Sequence, residues 1–137
     1  MRTMLMVIAV VSPFVWVFPT FAEQLDGSKD AVCAALSALV CIAGKGCAQG
    51  TPESINVPQF FRVDFAEKSI RATRPNGEKI TSKIRGTARE QGGLILQGVE
   101  NGRGWSMAIS EKSGKATLTV AGDGIAYTVF GACLALE

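Results

Sequence analysis

Four cysteines, Cys33, Cys41, Cys47 and Cys133, are the residues of this chain with the most distinctive chemistry. Thiolates bind metals and attack electrophiles, and paired thiols oxidise to disulfides. Zinc is the rival to a disulfide framework, but the spacings contain no C-x-x-C and the chain has no histidine. An even cysteine count in a small exported domain reads as two disulfides. The tight turn offered by Gly44-Lys45-Gly46 lets Cys41 meet Cys47, which leaves Cys33 for Cys133. That second bond would tie the first element to the last across about 100 residues, where the chain-entropy estimate is about 4–5 kcal/mol.

Catalytic chemistry lacks its materials. Without histidine the usual base near neutral pH is missing. Neither G-x-S-x-G nor a P-loop occurs. Gly98-Val99-Glu100-Asn101-Gly102-Arg103-Gly104 has the look of a phosphate loop, yet a dinucleotide fingerprint needs a following helix, and a strand follows here. Asp64 and Glu67 fall at a turn and read as solvated charges. The expectation is a protein that is not an enzyme, with no cofactor and no metal.

One cluster could bind. Lys68, Arg71, Arg74, Lys79, Lys83, Arg85 and Arg89 face only Glu78 as an acidic neighbour in the same stretch. Of these, Arg71, Lys79, Lys83 and Arg85 should project outward from neighbouring strands, a patch for lipid headgroups, polysaccharide or an acidic protein surface. The competing account is a charged outer face that keeps the sheet soluble and blunts its edge. The whole chain carries a net charge of only +2, no overall case for nucleic acid.

The N-terminus sets the compartment. Arg2, the apolar run Met4–Phe18 and the small residues of Thr20-Phe21-Ala22 predict a signal peptide over residues 1–22, cut before Glu23. Met4–Ala22 is also about long enough for a retained anchor, but Pro13 and Pro19 interrupt it. No cysteine follows the run directly, which argues against lipid attachment. The expected product is a single exported domain, 23–137, in the periplasm or the medium.

The elements that position these residues are strands. From Gln59 onward turn signals recur every nine to twelve residues, the pattern of an antiparallel meander. Leu94–Glu100 and Arg103–Ser110, joined by Asn101-Gly102, pair Glu100 with Arg103, Gly98 with Trp105, Leu96 with Met107 and Leu94 with Ile109. Trp105 then covers the bare backbone of Gly98 and fills the core, while Arg103 is exposed. A turn at Ser113-Gly114 places Ile109 opposite Leu118 and Met107 opposite Val120. A turn at Gly122-Asp123 places Val120 opposite Ile125 and Leu118 opposite Tyr127. Around Pro75-Asn76-Gly77-Glu78 a three-residue loop with Gly77 left-handed pairs Ile70 with Ile84 and Ala72 with Ser82. Phe61, Val63 and Phe65 alternate with Arg62 and Asp64, a half-buried strand.

Residues 30–43 read two ways. Val32, Leu36, Leu39 and Val40 would line a helix, whereas Val32, Leu36, Val40 and Ile42 share one face of a strand. A strand is favoured, and in an ideal helix Cys33 and Cys41 would be about 12 Å apart. Gln49–Pro58 reads as a loop. Cys133 should share the inward face with Ile125, Tyr127 and Val129. Outward Ile95, Val99, Ala108 and Phe130 would form a second apolar surface, either covered by residues 30–43, the favoured reading, or a partner contact. The fold class is all-β: an antiparallel meander of about eight strands closing into a small disulfide-stabilised barrel or sandwich, with a filled interior and no spacious ligand cavity.

The runs Pro58-Gln59-Phe60-Phe61-Arg62-Val63-Asp64, Leu96-Gln97-Gly98-Val99-Glu100-Asn101-Gly102-Arg103-Gly104-Trp105-Ser106 and Phe130-Gly131-Ala132-Cys133 carry a likeness. Through them Ile55–Cys133 resembles a group of small exported bacterial proteins of unknown function, a resemblance that implies no activity. The leading expectation is a non-catalytic exported β domain, structural or partner-binding, with an anionic envelope component or another exported protein as partner. The alternative is an inhibitor of an exported hydrolase. It should present a protruding loop, and Gly44–Pro58 is the only long candidate.

Overall fold

The computed structural model describes residues 24–137, so the expected leader and its cleavage point lie outside the described residues. Nine strands follow in order: β1 (Ala31–Ile42), β2 (Gly46–Gly50), β3 (Phe60–Asp64), β4 (Ser69–Thr73), β5 (Lys79–Glu90), β6 (Gly93–Glu100), β7 (Arg103–Ser110), β8 (Lys115–Gly122) and β9 (Ile125–Ala135). All pairings are antiparallel, and from β3 to β9 each strand pairs with the next.

β1 closes the figure. One edge pairs with β9 along its length, from Ala31↔Ala135 to Ile42↔Ile125. The other edge is shared, Ala31–Ala34 by β3 and Ala38–Ile42 by β2. The result is an eight-stranded barrel with β2 as an extra strand, and the sandwich alternative falls away. Closure removes the open edges that would otherwise invite pairing with other chains.

Residues 31–42 are therefore strand, as favoured, and both of their edges are hydrogen-bonded. The expected common face of Val32, Leu36, Val40 and Ile42 is corrected. A bulge at Leu36 adds a residue between Ala35 and Ser37, so the inward set runs Ala31, Cys33, Ala35 and then Ala38. Val32 and Leu36 point outward, while Val40 and Ile42 follow the Ala38 face. The small inward residues have a steric reason. β1 and β9 approach so closely that a methyl at Gly131 would overlap the Ala34 carbonyl oxygen.

The β6–β7 register stands residue for residue as expected, including Gly98↔Trp105. A methyl at Gly98 would collide with the Trp105 ring and with the Lys83 carbonyl oxygen, so only glycine admits the indole there. The indole Nε1 donates to Ser82 Oγ at 3.0 Å, satisfying its buried N–H.

Three other registers are corrected, each by two residues. Met107 faces Leu118 and Ile109 faces Ala116, because the turn occupies Glu111–Gly114 and not Ser113-Gly114 alone. Val120 faces Tyr127 and Leu118 faces Val129, because the turn is Asp123-Gly124, with φ of +53° and +71°. Two left-handed residues are what a type I′ hairpin requires. Ile70 faces Ser82 and Ala72 faces Ile80 around the loop Pro75-Asn76-Gly77, closed by hydrogen bonds between Arg74 and Glu78. It is a three-residue loop with Gly77 at φ +86°, as expected, but centred one residue earlier. A shift of two leaves every side chain on its face, so the inward set survives all three corrections.

Leu96, Met107, Ile109, Val63, Cys33 and Cys133 are the largest fully buried side chains. Burying aliphatic groups of this size stabilises by about 1.5–3 kcal/mol each. The void among Ala35, Phe61, Met107, Leu118 and Val129 measures only about 10 Å³. Both ends are stoppered. Leu25 enters the core beside Gly114 where β1 begins. At the other end Ile55 and Val57, flanking a 3-10 turn at Glu53–Ile55, pack on Ala35, Ala38 and Val129.

Candidate functional site: a basic groove on the outer wall

Outward side chains of β3, β4 and β5 fall into cross-strand rows. Arg62 faces Arg71, which faces Thr81; Thr73 faces Lys79. Val32 of β1 continues the first row beside Arg62. Residues of β1, β3, β4 and β5 line one groove of about 720 Å³, among them Val32, Phe60, Arg71 and Lys79, with Glu53 and Pro75 also in its lining.

Three of its cations have carboxylate partners. Arg62 reaches Asp30 at 2.7 Å, Arg71 reaches Asp64 at 3.0 Å, and Arg74 reaches Glu78 at 2.8 Å. Exposed pairs of this kind contribute about 0–1 kcal/mol to stability. Their larger consequence is that they offset three of the four cations in the groove lining, leaving Lys79 without a carboxylate partner among the described residues. Lys79, Lys83 and Arg85 have no ion-pair partner among the described residues.

The four expected patch residues are thus partly gathered. Arg71, Lys79 and Lys83 occupy one outer face, with Lys83 opposite Ser69 and diagonal to Arg71. Arg85 is exposed but sits in a bulge between Ile84 and Gly86, further along β5. The same bulge reverses the side on which later residues lie. Arg89 therefore turns to the mouth of the barrel and forms a two-point contact with Glu111, which also accepts a hydrogen bond from the Gln24 amide at 3.2 Å. The Arg89 hydrogen bonds and charge hold the Glu111 carboxyl below its ordinary range, against burial and Asp26, which push it up. This cluster fastens the N-terminal segment and adds nothing to the groove.

Arg62 and Phe60 belong to the groove although sequence reasoning did not single them out, and Arg74, named only in the wider basic cluster, joins them. A signal for Phe60 was present. In an alternating strand, Phe60-Phe61 must send one ring out, and Phe61 is the buried one. Arg103, expected to be exposed, is half-buried and lies 5.7 Å over the Tyr127 ring.

The expected covering of the second apolar surface is also corrected. Residues 31–42 are part of the wall between β9 and β3, so they cannot lie across it, and Val99 and Phe130 remain exposed. Nor does Gly44–Pro58 protrude as one long loop. Gly46–Gly50 is β2, and the rest folds back, with Pro52 buried and Val57 N–H donating to the Pro52 carbonyl.

Both expected disulfides are formed, Cys33–Cys133 in the core and Cys41–Cys47 between β1 and β2. All four sulfurs are committed, which suits an oxidising compartment. Comparison with protein-family models, with curated proteins and with solved structures returns no match.

Proposed function

We propose that this chain is an exported, non-catalytic β-barrel that binds an anionic partner of the cell envelope or medium through the β3–β5 groove. The observation that carries the reading is the convergence of Arg62, Arg71 and Lys79 on one concave surface beside the exposed ring of Phe60. Concave surfaces that combine apolar walls with a few convergent polar groups are the usual form of binding sites. The employment of the reactive side chains supports a non-catalytic role. The cysteines are bonded to each other, and Asp30, Asp64 and Glu111 are each held by an arginine. An inhibitory loop finds less support, since residues 51–58 fold back over the barrel end.

Binding of dextran sulfate to the exported protein tests the reading. Affinity should fall about tenfold when Arg62, Arg71 and Lys79 are all changed to Gln, and should weaken as salt rises. Binding indifferent to both would leave these residues as a solvated face.

A further inference from the structure

The outer wall beside the groove is unlike the groove itself. One cross-strand row runs Lys115 (β8), Ala132 (β9), Ala34 (β1), Phe60 (β3) and, by the β3–β4 register, Thr73 (β4) and Lys79 (β5). The adjoining row runs Leu134, Val32, Arg62, Arg71 and Thr81. On the other side, Phe130 faces Thr117 and Ser37, next to the bulged Leu36. The centre of this surface is therefore apolar, and its side chains are turned to solvent: Leu134 is 72 % exposed, Leu36 70 %, Phe60 60 % and Phe130 46 %. Soluble monomers rarely present several large apolar side chains contiguously without a partner.

What flanks the strip decides the partner. Lys115 ends the row on one side and Lys79 on the other, and neither has an ion-pair partner among the described residues. No carboxylate occupies either row; Glu53, Asp30 and Asp64 approach from the margins, the last two paired with Arg62 and Arg71. Lysine stems cover apolar surface while their ammonium groups reach outward, which suits the boundary between acyl chains and anionic headgroups. A soluble polyanion would use the cations and leave the leucines wet. A neutral protein surface would cover the leucines and strand the cations.

We infer that Phe60, Leu36, Phe130 and Leu134, flanked by Lys79 and Lys115, form a surface that docks the barrel on an anionic lipid membrane. This deepens the reading of the groove, on which it rests: the anionic partner is the headgroup layer of a lipid surface. Peripheral binding of this kind combines buried apolar area with attraction to anionic lipid.

The test uses the protein in its exported form and three probes: vesicles of phosphatidylglycerol with phosphatidylcholine in equal parts, vesicles of phosphatidylcholine alone, and dextran sulfate. Cosedimentation should show at least tenfold tighter binding to the anionic vesicles than to the neutral ones. The double variant Leu36→Ser, Leu134→Ser, which spares the groove lining, should lose about tenfold or more on anionic vesicles and stay within about twofold on dextran sulfate. Lys79→Gln with Lys115→Gln, which leaves the apolar strip intact, should also lose anionic-vesicle binding. Anionic-vesicle binding unaltered in the serine variant overturns the membrane inference and leaves the groove reading intact. Binding to dextran sulfate but not to vesicles does the same. Binding to neither anionic probe at low salt overturns both.

Discussion

Both disulfides begin on β1, yet the two halves of that strand are held by different means. The first half, Ala31–Ala35, lies between β9 and β3 and turns Ala31, Cys33 and Ala35 into the core. The second half keeps β9 on one edge but has only the five-residue β2 on the other, and β2 pairs with nothing else. Cys33 and Cys133 are each 1 % exposed, whereas Cys47 lies open to solvent. In the first half the disulfide reinforces a seam that packing already holds. In the second it replaces packing: a lone two-stranded hairpin is marginal in water, and a covalent tie at Cys41–Cys47 keeps it ordered.

The comparison can be broken by removing each bond. Replacing Cys33 and Cys133 with Ala should cost about 4–5 kcal/mol in urea unfolding, the entropy of a loop of some 100 residues. Replacing Cys41 and Cys47 should cost about 2 kcal/mol or less, since that loop is short. Equal losses would mean that the seam does not depend on its disulfide. Mild reduction of the folded protein followed by alkylation should label Cys41 and Cys47 first; early labelling of Cys133 would contradict the burial argument.

Identical substitutions opposite the two halves of β1, Gly131 of β9 facing Ala35 and Gly46 of β2 facing Ile42, sharpen the point. Gly131→Ala pushes a methyl into the Ala34 carbonyl, backbone against backbone, with no flexible side chain to yield. It should destabilise by about 1–3 kcal/mol, as overpacking does. Gly46→Ala meets nothing within 4 Å, but its φ of +87° disfavours a side chain, so the expected cost is about 1 kcal/mol. Thermal unfolding of the two variants should rank them in that order.

The sequence made the faces legible and left the registers ambiguous, for one physical reason. Strand side chains repeat every two residues, so the pattern Leu118, Val120, Ile125, Tyr127 identifies an inward face but cannot detect a slip of two. Only turn chemistry can, and Asp123-Gly124 is a better type I′ pair than Gly122-Asp123. Asn101-Gly102 admitted no such rival, and its hairpin was read correctly. The bulges at Leu36 and Arg85 left no mark in composition. They are settled by closure of the whole barrel, and they explain why Ala38 returns to the core after Leu36 and why Arg89 is not part of the basic face. The groove was half visible. Its cations stand together in the chain, but Val32 and Phe60 join them only because β1 and β3 pair.

The N-terminal clamp should respond to acid. Because Arg89 holds the Glu111 carboxyl below its ordinary range, folding favours the ionised form. That contribution is fully present above the unfolded value, near pH 4.5, and is lost as pH falls through the lower folded value. Urea midpoints measured between pH 6 and 3 should therefore drop less in Glu111→Gln than in the wild type. Parallel curves would show that the carboxylate does not fasten Gln24 and Arg89.

The smallest effect on stability is expected on the outer wall, and its smallness is informative. Lys79, Lys83 and Arg85 have no carboxylate partner among the described residues, and all three are exposed. Changing all three to Gln removes no buried contact, so each should alter stability by no more than about 0.5 kcal/mol. Arg71→Gln differs, since it strips Asp64 of a partner at 3.0 Å while leaving its contact to the Glu67 N–H, yet an exposed pair contributes only about 0–1 kcal/mol. Relief of repulsion among neighbouring cations could even raise the urea midpoint of the triple variant slightly. A chain that keeps three unpaired cations on one wall gains nothing in folding from them. Their use must then lie in solubility or in binding. A triple variant with unchanged solubility, unchanged unfolding and weakened, less salt-sensitive attachment to anionic vesicles would assign them to binding. Precipitation with unaltered attachment would assign them to solubility.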